Sequence, residues 1–460
     1  MSTNMLLFAI ALLGIIAIYG YVLRRVFLYV QMFQRPGLIL IAGSTSILGL
    51  ILLLLPPLFS SDVTNYIMSG HLLLLHMTNF FKTTPLQWII AGSGTSETYG
   101  PLWLSIAALL VSISKTYGAA FFLFRLLALL AHIFNTLLIW AILGAISPNR
   151  RLIGTALYAW NPLALLVLVG GGQNEGVVLT LLLLATWLLA QQKGRWYEVG
   201  VLVLFGLALS INPILFLLIP LGAWYMVSRE PRLSRAVRGF FWRLLISLGV
   251  AMLLYLPFWR DTYTFFTLTS SIDLAHFHQS LLGLLSMPVR WFYIQIAQAS
   301  HFPSIMPPIP AADASLRVSA LLIFVIVYCS LFNTIRPATP SIREKQHNFA
   351  SGFKGNDPSF AALLDSWLIA LFWYFVLVSG NFWPWYILWL LWIVALRPID
   401  VRTRTVLLFS CTALLLYPLL NSVSLPIALY QPLLTFGITL IYLGIQGIRQ
   451  RERSSVAYES

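Results

Sequence analysis

Residues 38–66 decide the fold class and read LILIAGSTSILGLILLLLPPLFSSDVTNY. The run 38–59 is apolar and long enough for an α-helix to cross a bilayer. The polar segment 60–66 then places Asp62 at the mouth of that helix and Tyr66 one turn further on. An acidic side chain is costly beside lipid, and it can accept a proton, bind a cation or cap a helix. Two interpretations stay open: a functional carboxylate, or a Ser-Ser-Asp sequence that only caps an interfacial helix.

The composition is typical of a polytopic membrane protein. Of the 460 residues, 59% are hydrophobic and 9% are charged, and the mean hydropathy is +0.85. These charges are too few to cover a soluble globule. Apolar runs of spanning length recur without the period-two alternation of a β-barrel, so we predict one all-α integral membrane domain with about 13 transmembrane helices.

The basic residues predict the topology. A net charge of +14 could indicate a nucleic-acid partner, but most of the 28 Lys and Arg lie in loops on one side of the predicted helices. By the positive-inside rule that side is cytoplasmic, and no nucleic acid is expected. We therefore predict a multi-pass plasma-membrane protein with its N-terminus outside and its C-terminus in the cytoplasm.

Segment 5–23 is interpreted as an anchor helix, and Cys329 and Cys411 as packing residues.

Three connecting segments stand out. Residues 60–118 are predicted to be an outer loop with juxtamembrane helices, because the run 101–113 must enter and leave on the outer side for the next basic loop to be cytoplasmic. Residues 260–313 are predicted to form a long outer loop. Residues 336–358, rich in Pro, Ser, Gly and charge, are predicted to form a flexible cytoplasmic loop.

This topology gathers the candidate reactive groups on the outer face. They are Asp62, Glu97, Glu175, Asp261, Asp273, His276 and His278. No nucleotide sugar is available there, so an enzyme with this site must take its activated group from a carrier anchored in lipid. The two histidines lack a clear third ligand, and zinc is therefore not expected.

The turn 170–175, GGGQNE, is a second cluster of polar residues and follows a predicted helix over 152–169. Its glycines let the backbone approach a ligand closely, and Gln173, Asn174 and Glu175 supply two amides and a carboxylate at a helix start. The alternative is that Asn174 caps the helix and Glu175 complements its dipole.

Two further features have a functional and a structural interpretation. Arg125 lies within an apolar helix, where an arginine is by default a candidate for binding an anion, although its long side chain could instead extend to the interface. Trp385 and Tyr386 could form a platform for a sugar or lipid, or belong to the outer aromatic belt.

The order of these motifs resembles that of bacterial GT-C glycosyltransferases. The motifs are Asp62-Val63-Thr64-Asn65-Tyr66, Tyr99-Gly100-Pro101-Leu102-Trp103, Gln173-Asn174-Glu175, Asn212-Pro213 and Pro384-Trp385-Tyr386. Each is weak alone, and their order and outer placement carry the resemblance. Over roughly residues 38–400 the chain is similar to polyprenol-phosphate-mannose-dependent mannosyltransferases. Their glycine turn commonly reads Gly-His-Asn-Asp.

The resemblance implies a GT-C-like helix bundle and an inverting transfer of a hexose, which is mannose in that family, from a polyprenyl-phosphate donor to a glycan or glycolipid acceptor in contact with membrane lipid. Asp62 matches the first outer-loop aspartate, which acts as a base or metal ligand. We expect Glu175 to hold the acceptor or, with Asp62, an Mg²⁺ or Mn²⁺ ion. The residues expected to bind substrate are Tyr66, Tyr99, Arg125, Gln173, Asn174, Asn212, His278, Trp385 and Tyr386.

Two other function classes stay open. A lipid-linked sugar flippase or transporter would place polar residues at mid-membrane depth and open to both sides. A membrane scaffold without catalysis would leave Asp62 and Glu175 far apart. The spatial relation of these two carboxylates therefore separates an enzyme from a scaffold.

Overall fold

The fold is described from a computed structural model of the chain. It describes residues 3–29, 34–56, 62–78, 99–191, 194–258, 277, 280–299, 307–336, 358–420 and 431–459. Several sequence expectations lie outside these described residues, namely those for Glu97, Asp261, Asp273, His276 and His278.

The described segments are helical. The α-helices are α1 (Thr3–Tyr29), α2 (Gln34–Leu54), α3 (Asp62–Thr78), α4 (Pro101–Ile113), α5 (Tyr117–Ile146), α6 (Arg151–Ala159), α7 (Glu175–Gln191), α8 (Arg195–Leu209), α9 (Ile219–Val227), α10 (Leu233–Tyr255), α11 (Leu281–Ala299), α12 (Pro308–Ile335), α13 (Pro358–Trp373), α14 (Leu388–Leu396), α15 (Val401–Leu414), α16 (Tyr417–Leu420) and α17 (Ile438–Glu459). Short 3₁₀ or π-helical turns lie at Pro148–Arg150, Ala164–Val169, Pro213–Leu217, Leu256–Phe258, Tyr374–Val378, Pro384–Ile387 and Leu433–Gly437. These segments contain no β-strand, which confirms the predicted all-α class.

Six helical stretches within the described ranges are long and apolar enough to cross a bilayer. They are Leu6–Leu28, Gly37–Leu54, Tyr117–Ile146, Leu233–Phe258, Pro308–Ile335 and Ser359–Val378. Shorter apolar helices lie at Pro101–Ile113, Glu175–Gln191, Pro213–Val227, Pro384–Leu396 and Leu433–Arg449. The chain is therefore a polytopic membrane protein, while the total of about 13 spans stays a prediction.

The predicted helix over 152–169 is interrupted at Asn161-Pro162. Proline has no amide hydrogen to continue the helix, so α6 ends at Ala159 and a π-helical turn begins at Ala164. The Asn161 Oδ1 atom accepts hydrogen bonds from the amides of Leu163 at 3.0 Å and Ala164 at 3.4 Å. Side chains from other helices donate hydrogen bonds to the carbonyls before the break. The Tyr19 hydroxyl donates to the Leu157 carbonyl, and His132 Nε2 donates to the Ala159 carbonyl.

The predicted loop 260–313 also differs from the structure, since its described part contains α11 and the start of α12. The Arg290 guanidinium joins these helices by donating to both carboxylate oxygens of Asp313 at 2.7 Å. The helix tolerates Pro288 in its interior. Most of the predicted loop 336–358 lies outside the described residues.

Two helices, α3 and α4, lie within 60–118. A Cβ atom at Gly70 would lie 2.7 Å from the Ala107 carbonyl oxygen, so the glycine lets the two helices pack with their backbones close together. The Thr64 and Tyr117 hydroxyls lie 2.8 Å apart and connect α3 to the first residue of α5. The first turn of α3 is therefore fixed to one end of the bundle. Its position relative to a bilayer stays a prediction.

The bundle has two chemically different ends. We call the end with Asp62 and Glu175 the carboxylate end, and the end with Arg150, Arg397 and Arg402 the basic end. Helix α5 connects them, because it starts beside α3 and its 30 residues end just before Arg150. At about 1.5 Å per residue, that helix separates the two ends by about 45 Å.

At the basic end, acidic and basic side chains from distant segments pair. The side chain of Arg397 is fully buried, contacts the Asp365 carboxylate and donates to Asp400 at 2.9 Å. Arg402 lies 3.1 Å from Asp365. Burial lowers the pKa of Arg397 to about 10, an effect that the charge of Asp400 opposes, so Arg397 stays charged at neutral pH. These pairs join α13 to the segment that leads into α15.

Candidate active site

Asp62 is the first residue of α3, and its side chain is buried, with 7% of the residue exposed. A carboxylate in the first helical turn is favoured by the helix dipole. Val63 and Tyr66 follow on the same helix and are each 1% exposed. This turn of α3 is therefore enclosed by protein and does not face bulk solvent.

The turn 170–175 packs directly against this part of α3. Gly172 has φ +70°, and a Cβ atom there would lie 2.7 Å from Val63 Cγ2 and 3.0 Å from Arg125 Cγ. Glycine alone adopts this conformation without strain and leaves room for both neighbours. The sequence predicted a close approach to a ligand, whereas the described approach is to the chain's own helices.

The Tyr66 hydroxyl links α3 to the turn. It donates to Gln173 Oε1 at 3.4 Å and accepts from the Asn174 amide at 3.3 Å. Burial raises the pKa of this hydroxyl well above its usual range, and the charges of Asp62, Tyr99 and Glu175 raise it further. Tyr66 is therefore a neutral hydrogen-bond donor beside two carboxylates.

Asp62 and Glu175 share these surroundings although they lie far apart in the chain. Glu175 begins α7 and is 4% exposed. Burial is the main reason that the pKa of Tyr417 lies well above its usual range, and the charges of Asp62 and Glu175 raise it further. The two carboxylates therefore lie in the neighbourhood of the same two hydroxyls, those of Tyr66 and Tyr417. A proton acceptor and a second acidic group at one buried site can carry out general-base chemistry.

Sequence reasoning missed Tyr417. The residue is 5% exposed and begins the four-residue helix α16, far from the other site residues in the chain. Its only signal in the sequence was a tyrosine after an apolar stretch, as at Tyr66, but without a neighbouring carboxylate. The C-terminal part of the chain therefore contributes to the site.

The Tyr99-Gly100-Pro101 motif forms one wall of the candidate site, beside Tyr66. The Tyr99 and Trp103 rings each lie 4.9 Å from the Tyr66 ring, centroid to centroid, in edge-on geometry. A Cβ atom at Gly100 would collide with the Ser210 carbonyl oxygen, so glycine lets this motif rest on the turn before Pro213. Two motifs that are distant in the sequence are thereby brought together.

Two buried donors at this wall have no hydrogen-bond partner within the part of the chain that the structure describes. They are Gln173 Nε2 and Trp103 Nε1, on residues that are 2% and 1% exposed. A buried donor without a partner is costly, and such groups are expected where a ligand or water completes the bonding. Both residues contact Tyr66, so these donors lie in the same neighbourhood as the carboxylates.

Arg125 makes structural contacts. Its guanidinium donates to the carbonyls of Leu52 at 2.5 Å, Leu53 at 3.3 Å and Leu55 at 2.8 Å. Leu52 and Leu53 lie in the last turn of α2 and Leu55 follows its end, where carbonyls lack the usual helical partners; the Leu52 carbonyl also accepts from the Leu55 amide at 3.1 Å. The described contacts of Arg125 therefore stabilise a helix end, and its binding of an anion stays a prediction.

Other predicted substrate-binding residues also have described structural contacts. The Asn212 Oδ1 atom accepts from the Ile214 amide at 3.1 Å and caps the Pro213–Leu217 turn. The Trp385 ring stacks on Trp383 at 4.9 Å. The Tyr386 ring stacks on Phe375 at 5.5 Å. The turn that carries both aromatic residues contacts Ala164–Val169, which leads into the glycine turn. His278 lies outside the described residues.

Comparison with known proteins adds a similarity to one family. A family model described as alpha-(1->6)-mannopyranosyltransferase, N-terminal domain, matches residues 3–228. No curated protein and no solved structure gives a match. The matched range contains Asp62, Tyr66 and the 170–175 turn, whereas Tyr417 lies beyond it. Residues 3–228 are therefore similar to the N-terminal domain of α-(1→6)-mannopyranosyltransferases.

Proposed function

We propose that this protein is a mannosyltransferase of the GT-C type, which moves mannose, with inversion, from a polyprenyl-phosphate donor to a lipid-linked or glycan acceptor outside the cytoplasm. The observation that carries the proposal is the common site of Asp62 and Glu175. Both carboxylates are buried. Asp62 lies one turn before Tyr66 on α3, and the Tyr66 hydroxyl accepts a hydrogen bond from the amide of Asn174, the neighbour of Glu175. Except for Tyr417, these residues lie within the matched mannosyltransferase domain.

In the proposed reaction Asp62 is the general base. It accepts the proton of an acceptor hydroxyl while the oxygen attacks the anomeric carbon of mannose. The bond from that carbon to the phosphate oxygen breaks on the opposite face, and the electron pair leaves with polyprenyl phosphate. A positioned carboxylate base contributes about 10²–10⁴-fold to such a step.

The neighbouring groups would position the reactants. Glu175 holds the acceptor, and the neutral Tyr66 hydroxyl keeps the 170–175 turn in place through Gln173 and Asn174. Gln173 Nε2 and Trp103 Nε1 are donors suited to sugar or phosphate oxygens, since both are buried and lack a partner among the described residues.

The phosphate of the donor also needs positive charge near the two carboxylates. Within the described ranges no three His, Cys, Asp or Glu residues form a cluster that could hold a metal ion. An Mg²⁺ or Mn²⁺ ion would take carboxylate oxygens from Asp62 and Glu175 and its other ligands from phosphate and water, which suits its preference for oxygen. His278 and Arg125 stay the other candidates for this charge.

The proposed topology follows from the two ends of the bundle. The positive-inside rule assigns the basic end to the cytoplasm and hence the carboxylate end to the outside. Nucleotide sugars are absent there, so the donor must be anchored in lipid. The N-terminus would then be outside and the C-terminus cytoplasmic.

The test is transfer by the purified protein in proteoliposomes, with polyprenyl-phosphate mannose as the labelled donor. Asp62→Asn should lower the rate about 10²–10⁴-fold, with an unchanged melting temperature. Asp400→Asn is the matched control, because Asp400 also begins a helix but lies at the basic end. It should retain transfer per folded molecule.

Transfer by Asp62→Asn at the wild-type rate would remove Asp62 from catalysis. Movement of the labelled lipid across the vesicle membrane by the wild type, without mannose transfer, would instead favour a flippase.

A further inference from the structure

A second cavity lies at the opposite end of α7 from Glu175. It has a volume of about 260 Å³, and its polar lining comes from Tyr197, Glu198, Tyr225 and Arg229. Its remaining walls include two leucines of α7, a valine of α8 and a methionine of α9. At about 1.5 Å per residue, the leucines lie about 20 Å along α7 from Glu175. This cavity is therefore separate from the candidate active site.

The chain segments that form the cavity are rich in arginine. Residues 194–243 contain six arginines and only two glutamates. The one acidic residue that lines the cavity, Glu198, accepts a hydrogen bond from Arg243 at 2.6 Å. The other, Glu230, lies 3.7 Å from Arg235. Arg229 and Glu198 in the lining, together with Arg243 that pairs with Glu198, carry a net charge of +1, which favours an anion.

The position of the cavity matches the surface layer of a membrane. It lies where α7 ends and α8 begins, beside the end of α9. Helix ends in this class of protein meet the headgroup layer, where tryptophans are enriched. Trp196 at the start of α8 is 86% exposed, and Trp242 on the neighbouring α10 is 60% exposed. The cavity therefore combines apolar walls, tyrosine hydroxyls and arginines at the level of lipid phosphates.

We propose that this cavity binds the headgroup of an anionic glycerophospholipid. Arg229 faces the phosphate, and the hydroxyls of Tyr197 and Tyr225 supply hydrogen-bond donors. The apolar walls contact the start of an acyl chain. A basic pocket between helices on the cytoplasmic side is the kind of site that such lipids occupy. The occupant is a lipid and not a free phosphate, because much of the lining is apolar.

Native mass spectrometry of the purified full chain in detergent tests this site, with phosphatidylglycerol and phosphatidylcholine as titrants. The wild type should bind phosphatidylglycerol more tightly than phosphatidylcholine. Arg229→Gln should weaken phosphatidylglycerol binding about fivefold, the effect expected for one arginine at a charged lipid surface. Arg404→Gln is the matched control, because Arg404 is exposed on α15 and does not line the cavity. It should bind phosphatidylglycerol as the wild type does.

Met226→Trp, which fills the cavity but keeps Arg229, should also weaken phosphatidylglycerol binding, and a melting curve checks that each variant is folded. Equal binding of the two lipids by the wild type would overturn the proposal. Wild-type affinity in folded Arg229→Gln or Met226→Trp would do the same. Displacement of the lipid by millimolar inorganic phosphate would show a simple anion site and would also overturn it.

Discussion

The two ends of the bundle hold acidic side chains in different surroundings. At the basic end, Asp365 and Asp400 contact the guanidinium of buried Arg397. At the carboxylate end, Asp62 and Glu175 lie near the hydroxyls of Tyr66 and Tyr417 and near an amide-rich turn. The first arrangement joins helices through ion pairs. The second places two carboxylates beside tyrosine hydroxyls and an amide-rich turn, where a carboxylate can serve as a general base.

This contrast predicts that charge removal should act on stability at the basic end and on activity at the carboxylate end. A buried ion pair that loses one partner leaves an uncompensated charge in a poorly solvated place. A carboxylate base that becomes an amide keeps its shape and its helix-capping ability but can no longer accept a proton. The two effects can be measured separately on the same variants.

The largest effect on stability is expected for Arg397→Met. The substitution leaves Asp365 and Asp400 without their buried partner and should lower the free energy of unfolding by about 3–5 kcal/mol. Denaturant titration of the purified protein measures this change, and transfer per folded molecule should stay close to that of the wild type. Arg404→Met, on the exposed side of α15, is the control and should leave stability unchanged. Wild-type stability of Arg397→Met would contradict a structural role for this ion pair.

An intermediate effect on stability is expected for Arg125→Met. This variant removes a positive charge that lies close to the carboxylate end. Because its guanidinium donates to three carbonyls at the end of α2, its loss should lower the free energy of unfolding by about 1.5–3 kcal/mol. The KM for the lipid-linked donor should stay unchanged in the folded fraction. A raised KM with unchanged stability would show instead that Arg125 binds the donor phosphate.

The smallest effect, on kcat/KM for mannose transfer, is expected for Tyr66→Phe. The substitution removes two long hydrogen bonds, to Gln173 and from Asn174, which corresponds to about 1 kcal/mol or about fivefold in kcat/KM. The pKa of the hydroxyl lies well above its usual range, so the hydroxyl stays protonated. The decrease in kcat/KM should therefore be constant from about pH 6 to pH 9. A loss that varied across this range would mean that Tyr66 titrates during turnover.

The sequence was sufficient for the class of protein and for the identity of the polar foci. Hydropathy predicted the all-α membrane fold, because spanning helices must satisfy their backbone hydrogen bonds internally. The polar residues at the ends of apolar runs, Asp62 and Glu175, were identified as site candidates by the cost of placing carboxylates beside lipid. Their common surroundings were a hypothesis that only three-dimensional packing could address.

Other features depended on tertiary contacts that no local pattern contains. Asn161-Pro162 interrupts a predicted helix, and only the folded chain shows that Tyr19 and His132 donate hydrogen bonds to the carbonyls beside the break. Arg125 was a candidate for an anion because an intramembrane charge is usually functional, but its described partners are the carbonyls that end α2. Tyr417 reaches the site from a distant segment, and its sequence neighbours carry no charge that could have marked it.

The central claim is that Asp62 and Glu175 act together at one site, and a double-mutant cycle tests it most directly. Mannose transfer would be measured in proteoliposomes for the wild type, Asp62→Asn, Glu175→Gln and the double variant. If the carboxylates cooperate, the double variant should be about as slow as Asp62→Asn alone, with a coupling energy of about 0.5–3 kcal/mol. If the loss in the double variant equals the product of the two single losses, the carboxylates act independently and the shared site is contradicted.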